Sequence, residues 1–173
     1  MIGAIARKFS AKDNNFSEII ILSGDSDMLQ LVEKNIKVCL IRTGVKDLVL
    51  YDKEKVKEKY QGLAPEQVAD FKALKGDSTD NIPGVAGIGE KTAIELLLKF
   101  GNIKRLYEGI IKNDSEVNVL KPRIKELLAQ GKENAFLSRE LAEIKTDIPI
   151  KIHLNELAWK SYDKKTLVNF LQE

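Results

Sequence analysis

The chain has 173 residues, of which 31% are charged and 43% hydrophobic, with a net charge of +2 and a pI near 8.5. That composition is ordinary for a globular protein able to bury a core, and its charge is too mild to point to nucleic acid unaided. No apolar run reaches membrane-spanning length, no charged-then-apolar leader opens the chain, and the single Cys39 rules out a disulfide framework or zinc cluster within it, so a reducing cytosol is the expected compartment.

Ile2, Ile5, Ala6 and Phe9 fall on one helical face, in a helix that starts at Met1 without a cap. Ile19-Ile20-Ile21-Leu22 is a short apolar run that predicts a strand buried on both faces, and Asp27–Glu33 reads as the helix after it. Lys37–Ile41, with Cys39 expected in the core, and Leu48–Tyr51 read as a hairpin joined at Thr43-Gly44.

From Asp52 the pattern turns helical. Val56 and Tyr60 are four apart, and Pro65 occupies a favoured first helical position ahead of Val68, Phe71 and Leu74. Helices are expected over Thr92–Phe100 and Ile103–Ile110, then a polar loop over Asn113–Val119. Two more helices carry Ile124, Leu127 and Leu128, then Phe136, Leu137 and Leu141. Ile144–Ile152 reads as extended, with His153 as a surface or packing residue, and the chain ends in a helical pattern with Leu167, Phe170 and Leu171. The pattern reads as cut at both ends.

Asn81-Ile82-Pro83-Gly84-Val85-Ala86-Gly87-Ile88-Gly89-Glu90-Lys91-Thr92-Ala93 is the most specific signal. Its apolar register, Ile82, Val85, Ile88, Ala93, Leu96 and Leu97 around a Gly-x-Gly turn, is that of a helix-hairpin-helix. Gly87 and Gly89 let backbone approach a phosphate, and the next helix offers free N–H groups and the positive end of its dipole. Gly84, Val85, Gly87, Ile88, Gly89, Lys91 and Thr92 are therefore the candidate DNA contacts, gripping backbone without reading sequence. A Walker A loop is the competing reading, but Glu90 interrupts it and no apolar strand precedes Gly84. Plain turn glycines are a second alternative.

Four aspartates complete the signal. Asp25 and Asp27 follow the apolar strand, where ligands gather in open α/β sheets, and Asp77 and Asp80 lie just before the hairpin. Such hard oxygen donors suit Mg²⁺ or Mn²⁺, and paired ions about 3.5–4 Å apart activate water on phosphodiesters. Singly, Asp25 or Asp27 could cap a helix and Asp80 could close an Asx-turn.

The stretches Ile20–Leu31 and Lys72–Gly84 resemble the 5′-3′ exonuclease domain of bacterial DNA polymerase I, one of the structure-specific 5′ nucleases that include the flap endonucleases. The similarity runs along essentially the whole chain and is strongest over 19–100. Leu137–Ala142 and Thr146–Pro149 resemble the family's return to the sheet, and Leu167–Glu173 the start of a connection to further polymerase domains. The resemblance implies a nuclease acting on 5′ flaps and RNA primers, on duplex DNA with a flap or nick. It implies Mg²⁺ held by carboxylates including Asp25, Asp27, Asp77 and Asp80, and K⁺ at the hairpin carbonyls.

The fold expected from it is α/β. A partial PIN-like, Rossmann-like sheet over 1–51 precedes a helix-hairpin-helix region over 52–112, then C-terminal helices and a strand over 113–173. In the family, a Glu-Ala-Asp-Asp helix leads into the segment that begins here at Met1-Ile2-Gly3. The chain is thus expected to hold part of the metal ring and to need an upstream half for activity. Thr79 stands for a usual serine and Ala64 for a usual capping residue. A non-catalytic DNA-binding module is the other function class left open.

Overall fold

The computed structural model describes residues 1–10, 18–41, 47–153, 157–159, 161 and 163–172. A three-stranded sheet in the order β1 (Ile19–Ser23), β2 (Ile36–Ile41), β3 (Leu48–Tyr51) leads into a run of helices. β1 and β2 are parallel, with Ile21 opposite Val38, and β2 and β3 are antiparallel, with Cys39 opposite Leu50. The β2–β3 pairing is the expected one, while its Thr43-Gly44 turn lies outside the described residues.

β1 departs from the expected double burial. Ile21 is buried but Ile20 and Leu22 are 54% and 61% exposed. β1 is an edge of the described sheet, and its side chains alternate between a packed face and an open one. Cys39 is likewise half-buried, on the face of β2 opposite the buried Ile36, Val38 and Leu40.

Helix α1 (Ile2–Ser10) buries Gly3, Ala4, Ala6 and Phe9 and leaves Ile2 exposed, so its packed face is rotated from the expected one. The cause lies at Gly3, where a β-carbon would come within 2.8 Å of the Ile144 side chain. The expected helix after β1 is a 3₁₀ helix, Ser26–Leu31, with Leu29 and Leu31 buried. Asp52 caps α2 (Lys53–Lys59), its Oδ1 accepting from the Lys55 amide at 3.0 Å. Pro65 opens a 3₁₀ turn that continues into α3 (Val68–Lys75). Ala64 has no capping oxygen. The turn is held instead by Gln67, whose Oε1 accepts from the Ala64 amide at 2.9 Å and whose Nε2 donates to the carbonyls of Leu97 and Gly101.

The remaining helices are α4 (Glu90–Phe100), α5 (Ile103–Lys112), α6 (Ser115–Asn118), α7 (Pro122–Gln130), α8 (Lys132–Ala142) and a final helix, Lys164–Gln172. The short α6 stands where a loop was expected. Val117 anchors it by packing on Gly109 of α5, where a β-carbon would lie 3.0 Å from the valine. In α8 the buried residues are Ala135, Ser138 and Ala142, while Phe136, Leu137 and Leu141 are exposed. The small side chains allow α8 to lie close to α3, and the larger ones turn outward.

The expected strand over 144–152 forms no ladder among the described residues. It is tied down instead by Ile144 N–H donating to Gln30 Oε1 and by Lys8 Nζ donating to the carbonyls of Ile150 and Ile152. His153 is exposed, and the final helix buries none of its residues. No helix among the described residues is long and apolar enough to cross a membrane.

Among the described residues two large apolar cores result, with a small third cluster of Ala69, Ile82 and Ala142 between α3, the turn after it and α8. One lies under the sheet, around Ile21, Leu29, Val38, Val56 and Val68. The other lies among the helices, around Leu74, Leu97, Ile103, Leu106 and Leu128. α3 enters both, through Val68 on one side and Phe71, Ala73 and Leu74 on the other, and every residue from Val68 to Leu74 is buried.

Candidate metal centre and nucleic-acid interface

The carboxylates that converge are Asp27, Asp77 and Asp80, whose oxygens lie within 4.8 Å of one another. Asp27 is brought there by the 3₁₀ helix after β1, and Asp77 and Asp80 by the turn after α3. Asp25 stands outside this trio. Its Oδ1 accepts from the Asp27 amide at 2.8 Å, so it caps the 3₁₀ helix and orients Asp27. The capping alternative is the one observed for Asp25. The Asx-turn expected of Asp80 is made by Asp77, whose Oδ1 accepts from the Thr79 amide at 2.9 Å.

Lys72 sits in the middle of the trio. Its ammonium pairs with Asp27, with Asp77 at 2.6 Å and with Asp80 at 3.2 Å, on a side chain only 9% exposed. Burial raises the Asp27 carboxyl above its ordinary range, with Lys72 opposing and Asp25 and Asp80 adding to the rise. The Lys72 hydrogen bond holds Asp77 below that range. For Lys72, burial favours the neutral amine, but the bonds to Asp27, Asp77 and Asp80 outweigh it, and its pKa is raised. Burial pushes the neighbouring Tyr60 phenol up to about 12, and the Asp27 charge adds to the shift. A cleft of about 400 Å³ opens beside the trio, lined among others by Lys59, Tyr60, Lys75, Ser78, Thr79 and Glu90. Three hard oxygen donors already gathered around one cation, with negative charge in surplus, fit a divalent ion.

The same turn runs on into the hairpin. Asp77 and Ile82 exchange backbone hydrogen bonds at 2.9 and 2.8 Å, closing the loop that carries Asp80. Gly84 then crosses the start of that loop, with φ +63°. A β-carbon there would fall on the Gly76 backbone nitrogen and within 2.6 Å of its Cα. The Gly84 amide donates to Ser138 Oγ on α8 at 2.9 Å, and the Val85 amide to Leu74 O on α3 at 2.9 Å. Ser138 is fully buried, so Ser138→Ala would strand the Gly84 N–H. We expect a loss of about 1–3 kcal/mol in urea unfolding, the cost of a buried donor without a partner.

These contacts divide the candidate DNA contacts into two groups. Gly84, Val85 and Ile88 are buried, their amides are used within the fold, and they frame the hairpin from inside. Gly87, Gly89 and Lys91 are exposed and Thr92 is half-buried. The first bond of α4 runs from the Ala93 amide to Gly89 O, and among the described residues the amides of Gly87, Gly89, Lys91 and Thr92 have no acceptor. They point the open end of α4 outward, the arrangement that binds anionic groups.

Residues 63–165 match the family described as 5′-3′ exonuclease, C-terminal SAM fold. The chain belongs to that family. Among its relatives, DNA polymerase I of Bacillus subtilis (strain 168) is 42% identical over 173 residues, which are all of this chain and 18% of the relative. DNA polymerase I of Bacillus caldotenax is 39% identical, again over the whole chain and 19% of the relative. The chain thus spans less than a fifth of those proteins. Among solved structures, T5 5′-exonuclease with bound divalent metal ions (zinc) superposes with a TM-score of 0.65 at 20% identity, covering 81% of this chain and 48% of that one. The catalytic core of Rad2 in complex with DNA substrate superposes with a TM-score of 0.55 at 18% identity, covering 98% and 55%.

Two features of this chain escape the motif reading. Lys72 carries no role in the motif reading, although a lysine within Val68-Ala69-Asp70-Phe71-Lys72-Ala73-Leu74, five residues before Asp77, is a signal that a buried charge needs a partner. Asp70 is the second. It is 3% exposed and pairs with Arg139 Nε at 3.0 Å, joining α3 to α8 across 69 positions.

Proposed function

We propose that this segment supplies part of the active centre and the duplex grip of a 5′-3′ exonuclease or 5′-flap endonuclease acting in primer removal and DNA repair. A single observation carries the reading. One rigid turn, from Gly76 to Val85, ties the carboxylate trio at one end to the open amides of the hairpin at the other.

Asp27, Asp77 and Asp80 would hold Mg²⁺ or Mn²⁺, with Asp25 orienting Asp27. Such ions supply water activation and charge neutralisation at a phosphodiester. Gly87, Gly89 and the first turn of α4 would bind backbone phosphates of duplex DNA, with Lys91 beside them and K⁺ at the hairpin carbonyls. The name DNA polymerase I, borne by relatives that extend well beyond this segment, supports polymerase domains as neighbours in one protein; the rest of a nuclease domain as a further partner, a nicked or flapped duplex as substrate and the bacterial cytosol as compartment belong to the same proposal.

The test is fluorescence anisotropy on two unrelated duplexes across a salt series. A β-carbon at Gly89 meets nothing within 4 Å, so Gly89→Val keeps the fold and shields the amides. It should weaken both duplexes by about tenfold, the worth of one charge-assisted hydrogen bond. Lys91→Ala should lower the salt slope by roughly one, while Asp77→Ala leaves binding in place. Equal affinity of wild type and folded Gly89→Val would remove the hairpin from the interface.

A further inference from the structure

We infer that Lys72 is a built-in counter-cation of the carboxylate trio, displaced into the neighbouring cleft when a divalent ion binds. The inference rests on the reading of Asp27, Asp77 and Asp80 as a metal site.

The lysine is placed for this role by the backbone. It lies in the middle of α3, where every residue from Val68 to Leu74 is buried, and it is itself 7% exposed. An ammonium has three donors and no acceptor, and here each donor has one carboxylate to meet: Asp27, Asp77 and Asp80. Each side is stabilised by a partner of opposite charge. Three carboxylates gathered within 4.8 Å repel one another, and an ammonium this deep is poorly solvated without partners.

The oxygens that receive the ammonium are the ones a divalent ion would take. Lysine and ion therefore compete, and the apparent affinity for the ion falls to the intrinsic affinity multiplied by the fraction of trio that Lys72 leaves free. A double charge on a compact ion outcompetes a single charge held at 2.6 and 3.2 Å, so the site answers to divalent rather than monovalent cations.

The exit is also present. Lys72 lines the cleft of about 400 Å³ whose wall includes Ser78, Thr79 and Glu90, all oxygen acceptors. Its four-carbon stem allows the ammonium to swing there while α3 stays fixed. The assembled trio is thus kept in register before the ion arrives, and arrival of the ion delivers a positive charge to the cleft beside it.

Two measurements on the whole chain test this. Calorimetry with Mn²⁺ should find Lys72→Met binding about tenfold tighter than wild type or more, since a competing charge has been removed. Lys72→Arg keeps the charge and should bind no tighter than wild type. The second measurement needs no variant: mass spectrometry after brief acylation should show Lys72 labelled faster with Mg²⁺ or Mn²⁺ than without. Unchanged or weaker Mn²⁺ affinity in Lys72→Met, or labelling indifferent to the ion, would overturn the displacement. Absence of Mn²⁺ binding in both wild type and Lys72→Met would instead overturn the metal-site reading, and the inference with it.

Discussion

Gly84→Ala is expected to unfold the chain or bring it close to unfolding, while Gly89→Ala, five residues on, leaves stability unchanged. At Gly84 the backbone has φ +63° and an added β-carbon would overlap the backbone of Gly76. Left-handed strain and forced overpacking each cost about 1–3 kcal/mol, and here both apply at one atom. The neighbouring backbone cannot yield cheaply, because Gly76 continues α3 through its own amide bond to Lys72 O, and Gly84 is bonded to Ser138. Against a total stability of about 5–15 kcal/mol for a domain, such a loss is a large fraction. At Gly89 the backbone is extended, with φ −89°, and the added atom meets nothing within 4 Å. Urea unfolding followed by circular dichroism checks the pair. Equal midpoints for the two variants would mean that the crossing of Gly84 over Gly76 is not tight.

The second large effect is expected at Arg139. Arg139→Met removes the partner of Asp70, a side chain 4% exposed, and leaves a carboxylate buried without a cation. A loss of about 2–4 kcal/mol follows, below the most severe buried cases because Arg139 is itself 36% exposed and partly screened. The loss should depend on pH in a defined sense. Burial already holds the Asp70 carboxyl above its ordinary value, with Arg139 pulling it down, so removing Arg139 raises it further. The folded variant then keeps its proton to higher pH than the unfolded chain does. Its deficit relative to wild type should be small near pH 4, below which both states are protonated, and should grow as pH rises toward neutrality. A deficit that is constant with pH would mean the guanidinium acts through packing rather than charge.

Local, periodic features were legible in the sequence. Ile82, Val85, Ile88, Ala93, Leu96 and Leu97 are all buried, as the hairpin register requires, because neighbours along the chain set that register. The proximity of Asp27 to Asp77 and Asp80 was legible too, from strand-end position and from the motif. Contacts made across long separations were not. Nothing local says that Gly84 gives its amide to Ser138, 54 positions away, and so ties the start of the hairpin to α8. Burial of β1 on one face depends on which face the other described elements cover, as it does for the central β2, and its four apolar residues cannot encode that. In α8, the size of Ala135, Ser138 and Ala142 chose the packed face over the greater hydrophobicity of Phe136, Leu137 and Leu141.

The double burial of α3 has a thermodynamic consequence. An eight-residue helix of this kind has no stability in isolation. It exists because apolar groups press on it from two sides, those under the sheet and those among the later helices. Neither core can melt and leave the helix standing for the other, so both should be lost in one cooperative transition. Lys72 and the turn that carries Asp77, Asp80 and the hairpin hang from this helix. Anything bound at one end of that turn stabilises the whole unit by mass action, and so raises the population competent to bind at the other end.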